Sequence, residues 1–228
     1  MRLELWVEGP GDAAPSKGGE APKGALPTLI RRLIVEASEP SDPRWQISDD
    51  DVIIRNLGKH IKEKARSFQR HIADERDTWT RKLLAVMTQS DADNLLIVAA
   101  WDRDRREETQ RYARDAAHVL EEQGWHRLHV LLSIQEVEAL LLSDVDAFQD
   151  AFGRVPSNLP RNPEAVSDPK KALGDALAEC REARNRETYA DLARYLSLER
   201  VEKACPNSFA PFATRLRQSI GEIDTAFA

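Results

Sequence analysis

The sequence predicts an α/β fold: a mostly parallel, four-stranded sheet flanked by helices, with a helical C-terminal extension. Three observations predict it. Four short apolar runs within the first 133 residues have the length and composition of buried strands. Stretches of helical pattern lie between them, and connections that long suit parallel rather than hairpin pairing. Beyond residue 153 the strand-like runs cease and only helical patterns remain.

The first run is "RLELWV" (Arg2–Val7), followed at once by Glu8 and Gly9. The stretch Gly9–Gly24, "GPGDAAPSKGGEAPKG", is so rich in glycine, proline and alanine that a mobile loop is expected there. "LPTLIRRLIVEA" then reads as a helix with Pro27 in its first turn. "DVIIRNL" (Asp51–Leu57) is the second strand, followed by a long helical stretch forming one helix or two. The third strand, "NLLIVAA" (Asn94–Ala100), leads through Trp101 to Asp102 and Asp104 and into a helix that Gly124 stops. "RLHVLLS" (Arg127–Ser133) is the fourth, and "IQEVEALLLSDVDAFQDAFG" continues as a helical pattern. Residues 1–152 are thus expected to form one α/β domain. Residues 153–228 form a proline-punctuated linker and helical stretches that pack on it, read as "ALGDALAECREARN", "YADLARYLSLERVEKA" and "SFAPFATRLRQSIGEI".

With 228 residues the chain can bury a core without covalent staples. Its apolar fraction is 41% and its charged fraction 32%, a balance that suits a helix-rich, water-facing surface. No apolar run approaches a membrane span, and the N-terminus reads as a strand rather than a signal peptide. Cys180 and Cys205 match no metal or redox spacing, so a reducing cytoplasm is the expected location. The net charge of −6 argues against a general nucleic-acid coat but leaves room for a local basic groove. The five histidines form no H-x-x-x-H pair, which makes a zinc site unexpected.

Parallel sheets collect ligands beyond the carboxyl ends of their strands. Glu8 follows the first strand, Asp102 and Asp104 the third, and Glu136 and Glu138 the fourth. Three strand ends would then bring carboxylates to one rim, as a hard divalent cation requires. Spacing alone does not decide it, because this coincidence arises by chance roughly a quarter of the time. Asp104 with Glu107 also fits a capping box, Glu8–Gly9 a polar turn, and Glu136 and Glu138 the wet face of a helix whose other face is Val137, Leu140 and Leu141.

Cations flank the acids. Lys59, Lys62, Lys64, Arg66 and Arg70 follow the second strand, and Arg103, Arg105 and Arg106 interleave with the aspartates. Lys170 and Lys171 stand in "DPKK", and Arg181, Arg184 and Arg186 in "REARNR". Each run alone is a solvated helix face; convergence near the acids would make a nucleic-acid groove.

A strand ending in "VEG", a later strand ending in D-x-D and a third acid beyond the next strand resemble the TOPRIM domain of topoisomerases, bacterial primases and OLD-family nucleases. More closely, "SIQEVEALLLSD", "DPKKAL" and "CPNSFAPFATRL" resemble a bacterial family of TOPRIM-like proteins, in order and spacing over most of the chain. The resemblance implies a TOPRIM-type, Rossmann-like nuclease fold using Mg²⁺ or Mn²⁺ to hydrolyse nucleic-acid phosphodiesters. It implies metal and catalytic roles for Glu8, Asp102, Asp104 and Glu138, with Glu136 as the alternative to Glu138. Lys59, Lys62, Lys64, Arg66, Arg103, Arg105, Lys170 and Lys171 would face DNA or RNA. Members often stand beside an ATPase, which implies an ATPase partner and an anti-phage defence role; a homo-oligomer is also compatible. Two departures stand out: the Gly9–Gly24 loop interrupts the usual passage from glutamate–glycine into a helix, and Leu140 replaces an expected tryptophan.

Two other readings stay open. The chain could be a catalytically silent TOPRIM-like module that binds nucleic acid or a protein. It could also be a phosphohydrolase or phospho-acceptor domain with Asp102 as nucleophile, which leaves Glu8 without a role.

Overall fold

The computed structural model of the protein describes residues 2–7, 24–38, 42, 45–48, 51–56, 95–102, 128–133 and 137–226. They form β1 (Arg2–Val7), α1 (Ala25–Ala37), β2 (Val52–Asn56), β3 (Leu95–Asp102) and β4 (Leu128–Ser133). After these come α2 (Glu138–Leu141), α3 (Val145–Phe152), a 3-10 turn (Pro163–Ala165), α4 (Pro169–Cys180), α5 (Arg186–Tyr195), α6 (Leu198–Ala204) and α7 (Phe209–Ala226). The expected mixture of helix and strand is what the chain adopts, and most of the described residues are helical.

The strands pair in parallel in the order β2-β1-β3-β4. Leu3 stands opposite Val52 and Leu96, and Leu5 opposite Ile54 and Val98, so apolar positions meet across the sheet. Leu3, Leu5 and Val7 are buried on one face of β1, and Glu4, on the other, is 0% exposed. The apolar face of β1 alternates with Arg2, Glu4 and Trp6 along the strand. β3 reaches two residues farther than the sequence suggested. Asp102 is its last residue, in register with Ser133 at the end of β4, rather than the first residue of the following segment.

α1 buries Leu26, Leu29, Ile30, Leu33 and Ile34, spaced to make one helical face. Arg31 donates to the Ile47 carbonyl at 2.8 Å and Arg32 to the Ala193 carbonyl at 2.7 Å, fastening α1 to its neighbours. α7 buries Phe209, Phe212, Ala213, Leu216 and Ile220 and packs against β4, α1 and α6. Strand residues and residues from Val137 to Ile220 belong to one hydrophobic core. The C-terminal helices therefore complete the core beside the sheet.

Two helical stretches divide where a polar side chain offers the backbone a cap. "IQEVEALLLSDVDAFQDAFG" breaks after Leu141 because Asp144 accepts from the Asp146 amide at 3.1 Å and starts α3. "YADLARYLSLERVEKA" breaks at Leu196 because Ser197 caps α6. In "DPKK", Asp168 accepts from the Lys171 amide at 2.9 Å and Pro169 fills the first helical position of α4.

Candidate functional site

The topology itself marks a place. From β1 the sheet grows to one side with β2 and to the other with β3, so strand order reverses between β1 and β3. Crevices at the carboxyl ends of such strands are where α/β sheets bind ligands. Val7, the last residue of β1, stands opposite Ala100, and β3 continues to Asp102. Adjacent parallel strands lie about 4.8 Å apart, and Asp102 lies two residues beyond the Val7–Ala100 pair.

Glu138 opens α2, five positions beyond the last residue of β4 at Ser133. It is not on a wet face: only 5% of it is exposed, next to Val137, Ala139, Leu140 and Leu141, all buried. A carboxylate withdrawn from water is costly unless positive charge compensates it. The field of Glu138 reaches Arg184, in the turn between α4 and α5, and Tyr189 in the first half of α5. Lys170, half-buried in the first turn of α4, also acts on Tyr189.

Within this group Arg184 Nε donates to the Tyr189 hydroxyl at 3.2 Å. Burial pushes the Tyr189 phenol above the usual tyrosine range; the bond from Arg184 opposes that, Glu138 adds to it, and Lys170 works against it. The same bond raises the Arg184 guanidinium further above its ordinary value. Arg184 also packs over Gly174 of α4, where a Cβ would stand 3.6 Å from its Cδ and 3.8 Å from its Nη1.

A family model described as a domain of unknown function (DUF4276) matches residues 19–217. The chain belongs to the DUF4276 family. No curated protein and no solved structure matches it.

In this DUF4276 chain Glu138, Lys170 and Arg184, three positions named from the sequence, all act on Tyr189, which was not. Lys171 is exposed on the first turn of α4. Asp102 is placed by its backbone at the strand end. Glu8, Asp104, Glu136, Lys59, Lys62, Lys64, Arg66, Arg103 and Arg105 lie outside the described residues. Among the described residues no three histidine, cysteine, aspartate or glutamate side chains form a group able to hold a metal ion. No described helix is long and apolar enough to cross a membrane.

The other motifs of the C-terminal half serve the core. Asp144 is 3% exposed and accepts from the Ser197 amide at 2.8 Å and from Arg200 at 2.6 Å, locking α3 to α6. In "CPNSF", Ser208 donates to Glu164 at 2.6 Å and Asn207 donates through its side chain at 2.9 Å, while Phe209 is fully buried. Tyr189 escaped the sequence analysis, although one signal was present. It shares a helical face with Leu192 and Ala193, and a buried phenol needs a polar partner.

Proposed function

We propose that the protein is a Mg²⁺- or Mn²⁺-dependent nuclease of TOPRIM type that hydrolyses nucleic-acid phosphodiesters. The wider proposal is a cytoplasmic, bacterial anti-phage effector that works with a partner ATPase. The observation that supports the catalytic proposal best is the position of Asp102, at the carboxyl end of β3 and next to the strand-order reversal. Glu138 adds to it: a buried carboxylate a few residues past the neighbouring strand end, in a neighbourhood already supplied with cations.

The donor chemistry fits a hard cation, since carboxylate oxygens are what Mg²⁺ and Mn²⁺ prefer. Asp102 and Glu138 would hold it with Glu8 and Asp104, Glu136 being the alternative to Glu138. When bound, the cation makes water nucleophilic near neutral pH and stabilises charge on the phosphate oxygens. The protein's own groups divide the remaining work. Lys170 offsets phosphate charge at the mouth of α4, and Glu8, if it stays clear of the cation, moves a proton to or from the reacting oxygens.

The second reading, a silent module that binds nucleic acid or a protein, is supported by the Arg184 guanidinium standing within electrostatic reach of Glu138. Plasmid and RNA substrates incubated with Mg²⁺ or Mn²⁺ separate the two. The nuclease cleaves in a metal-dependent way, and Asp102→Ala abolishes cleavage while preserving binding. Cleavage that Asp102→Ala leaves unchanged, or binding with no metal-dependent cleavage in the wild type and its ATPase complex, would overturn the nuclease proposal.

A further inference from the structure

Arg184 differs from Arg200 and Arg217 in how it is held. Arg200 and Arg217 are each tied to two carboxylates, Asp144 with Asp146 and Glu36 with Glu202. Arg184 spends only its Nε, on a neutral hydroxyl. Neither of its Nη groups has a hydrogen-bond or ion-pair partner among the described residues, and the side chain is exposed. Yet it is not loose. The Tyr189 ring that anchors it is 8% exposed, and the side chain lies over Gly174 of α4.

The result is a guanidinium oriented in advance, with its fork turned to solvent. Such a fork matches the oxygens of a phosphate diester, and fixing it beforehand removes much of the entropy lost on binding. Lys170, in the first turn of α4, suits the same ligand, whereas Glu138, within electrostatic reach of Arg184, would meet a phosphate only across a cation. Asp168, the other acid that acts on Arg184, is engaged in capping α4.

We infer that Arg184 is a phosphate anchor for the nucleic-acid substrate, and that Tyr189 is its positioning residue. This rests on the proposed nuclease reading and deepens it by naming where the substrate backbone docks: beside Glu138, against the α4–α5 turn. Tyr189 never meets the substrate; it fixes the angle of the fork.

The test is the binding of fluorescently labelled 20-nucleotide DNA and RNA, single- and double-stranded, to the full chain across a range of salt concentrations. Metal is omitted so that cleavage does not intervene. Arg184→Ala is expected to weaken binding roughly 10- to 100-fold, the size of a lost charge-assisted contact. It should also flatten the dependence of log affinity on log salt by about 0.7 to 0.9, the signature of one phosphate contact removed. Arg184→Lys should restore that slope but only part of the affinity, since it keeps the charge and loses the fork. Tyr189→Phe should lower affinity without changing the slope, which a general loss of stability would not do. Lys203→Ala, an exposed cation on α6, should stay within about twofold of wild type.

Equal effects of Arg184→Ala and Lys203→Ala would overturn the anchor while leaving the nuclease proposal to its own assay. A wild type that binds none of the probes would overturn the anchor as well, and the cleavage assay decides the nuclease proposal separately. Should Arg184→Ala prove unstable by thermal melting, Arg184→Gln replaces it under the same two criteria.

Discussion

Around Glu164, single residues decide how the C-terminal motifs behave. The carboxylate is 8% exposed and takes three donors from the start of α7: the Asn207 amide, the Asn207 side chain and the Ser208 hydroxyl. Cys205 lies close by, fully buried, and burial with the nearby Glu164 charge pushes its thiol up to about 12. An unfolded thiol titrates near 8.5. The native state therefore holds this proton more tightly than the unfolded chain does. Its stabilising contribution is complete below about pH 8.5 and is lost as pH rises toward about 12. Urea denaturation at pH 8.5 and 10.5 should show wild type losing more stability than Cys205→Ala, by an amount on the order of 1 kcal/mol per pH unit. Parallel losses in the two proteins would count against a buried, proton-holding Cys205. The same burial makes Cys205 a poor nucleophile and metal ligand, in keeping with its spacing in the sequence.

Elements were legible to different degrees, for physical reasons. The four strands announce themselves because their apolar runs are short and bounded. The division of α2 from α3, and of α5 from α6, is harder to see. In "EALLLSDVDAF" the apolar residues recur at nearly helical spacing across the break, and only the capping by Asp144 interrupts the backbone. That side chain joins two elements, since it also receives the Ser197 amide at the start of α6 and Arg200 within it. Asp144→Ala should cost roughly 2–4 kcal/mol in urea denaturation, because it strands a buried amide and removes a cap. Asp146→Ala, which removes only the exposed half of the Arg200 interaction, should cost less than about 1 kcal/mol. Equal costs would mean that the buried bonds of Asp144 contribute nothing beyond a surface ion pair. The Arg184–Tyr189 pair was illegible for a related reason. The two are five residues apart across a turn, a spacing that no helix face brings together.

For the molecule as a whole, the order β2-β1-β3-β4 does what no single motif can: it sets the carboxyl ends of β1 and β3 side by side at the point of reversal. The C-terminal helices share the sheet's core and supply Lys170, Arg184 and Tyr189 around Glu138. Sequence spacing already suggested Asp102 and Glu138 as partners. It could not show that Glu138 is buried, because the same pattern fits a helix with Glu136 and Glu138 on its wet face. Whether these carboxylates form a cation site can be asked without any substrate, trigger or partner. Titration of the purified chain with Mn²⁺, followed by electron paramagnetic resonance, measures free and bound ion directly. Wild type should bind Mn²⁺ at saturable, stoichiometric sites, and both Asp102→Asn and the nearly isosteric Glu138→Gln should weaken that binding by at least about tenfold. Binding equal to wild type in both variants, or no saturable binding at all, would contradict a shared cation site at the sheet's carboxyl edge.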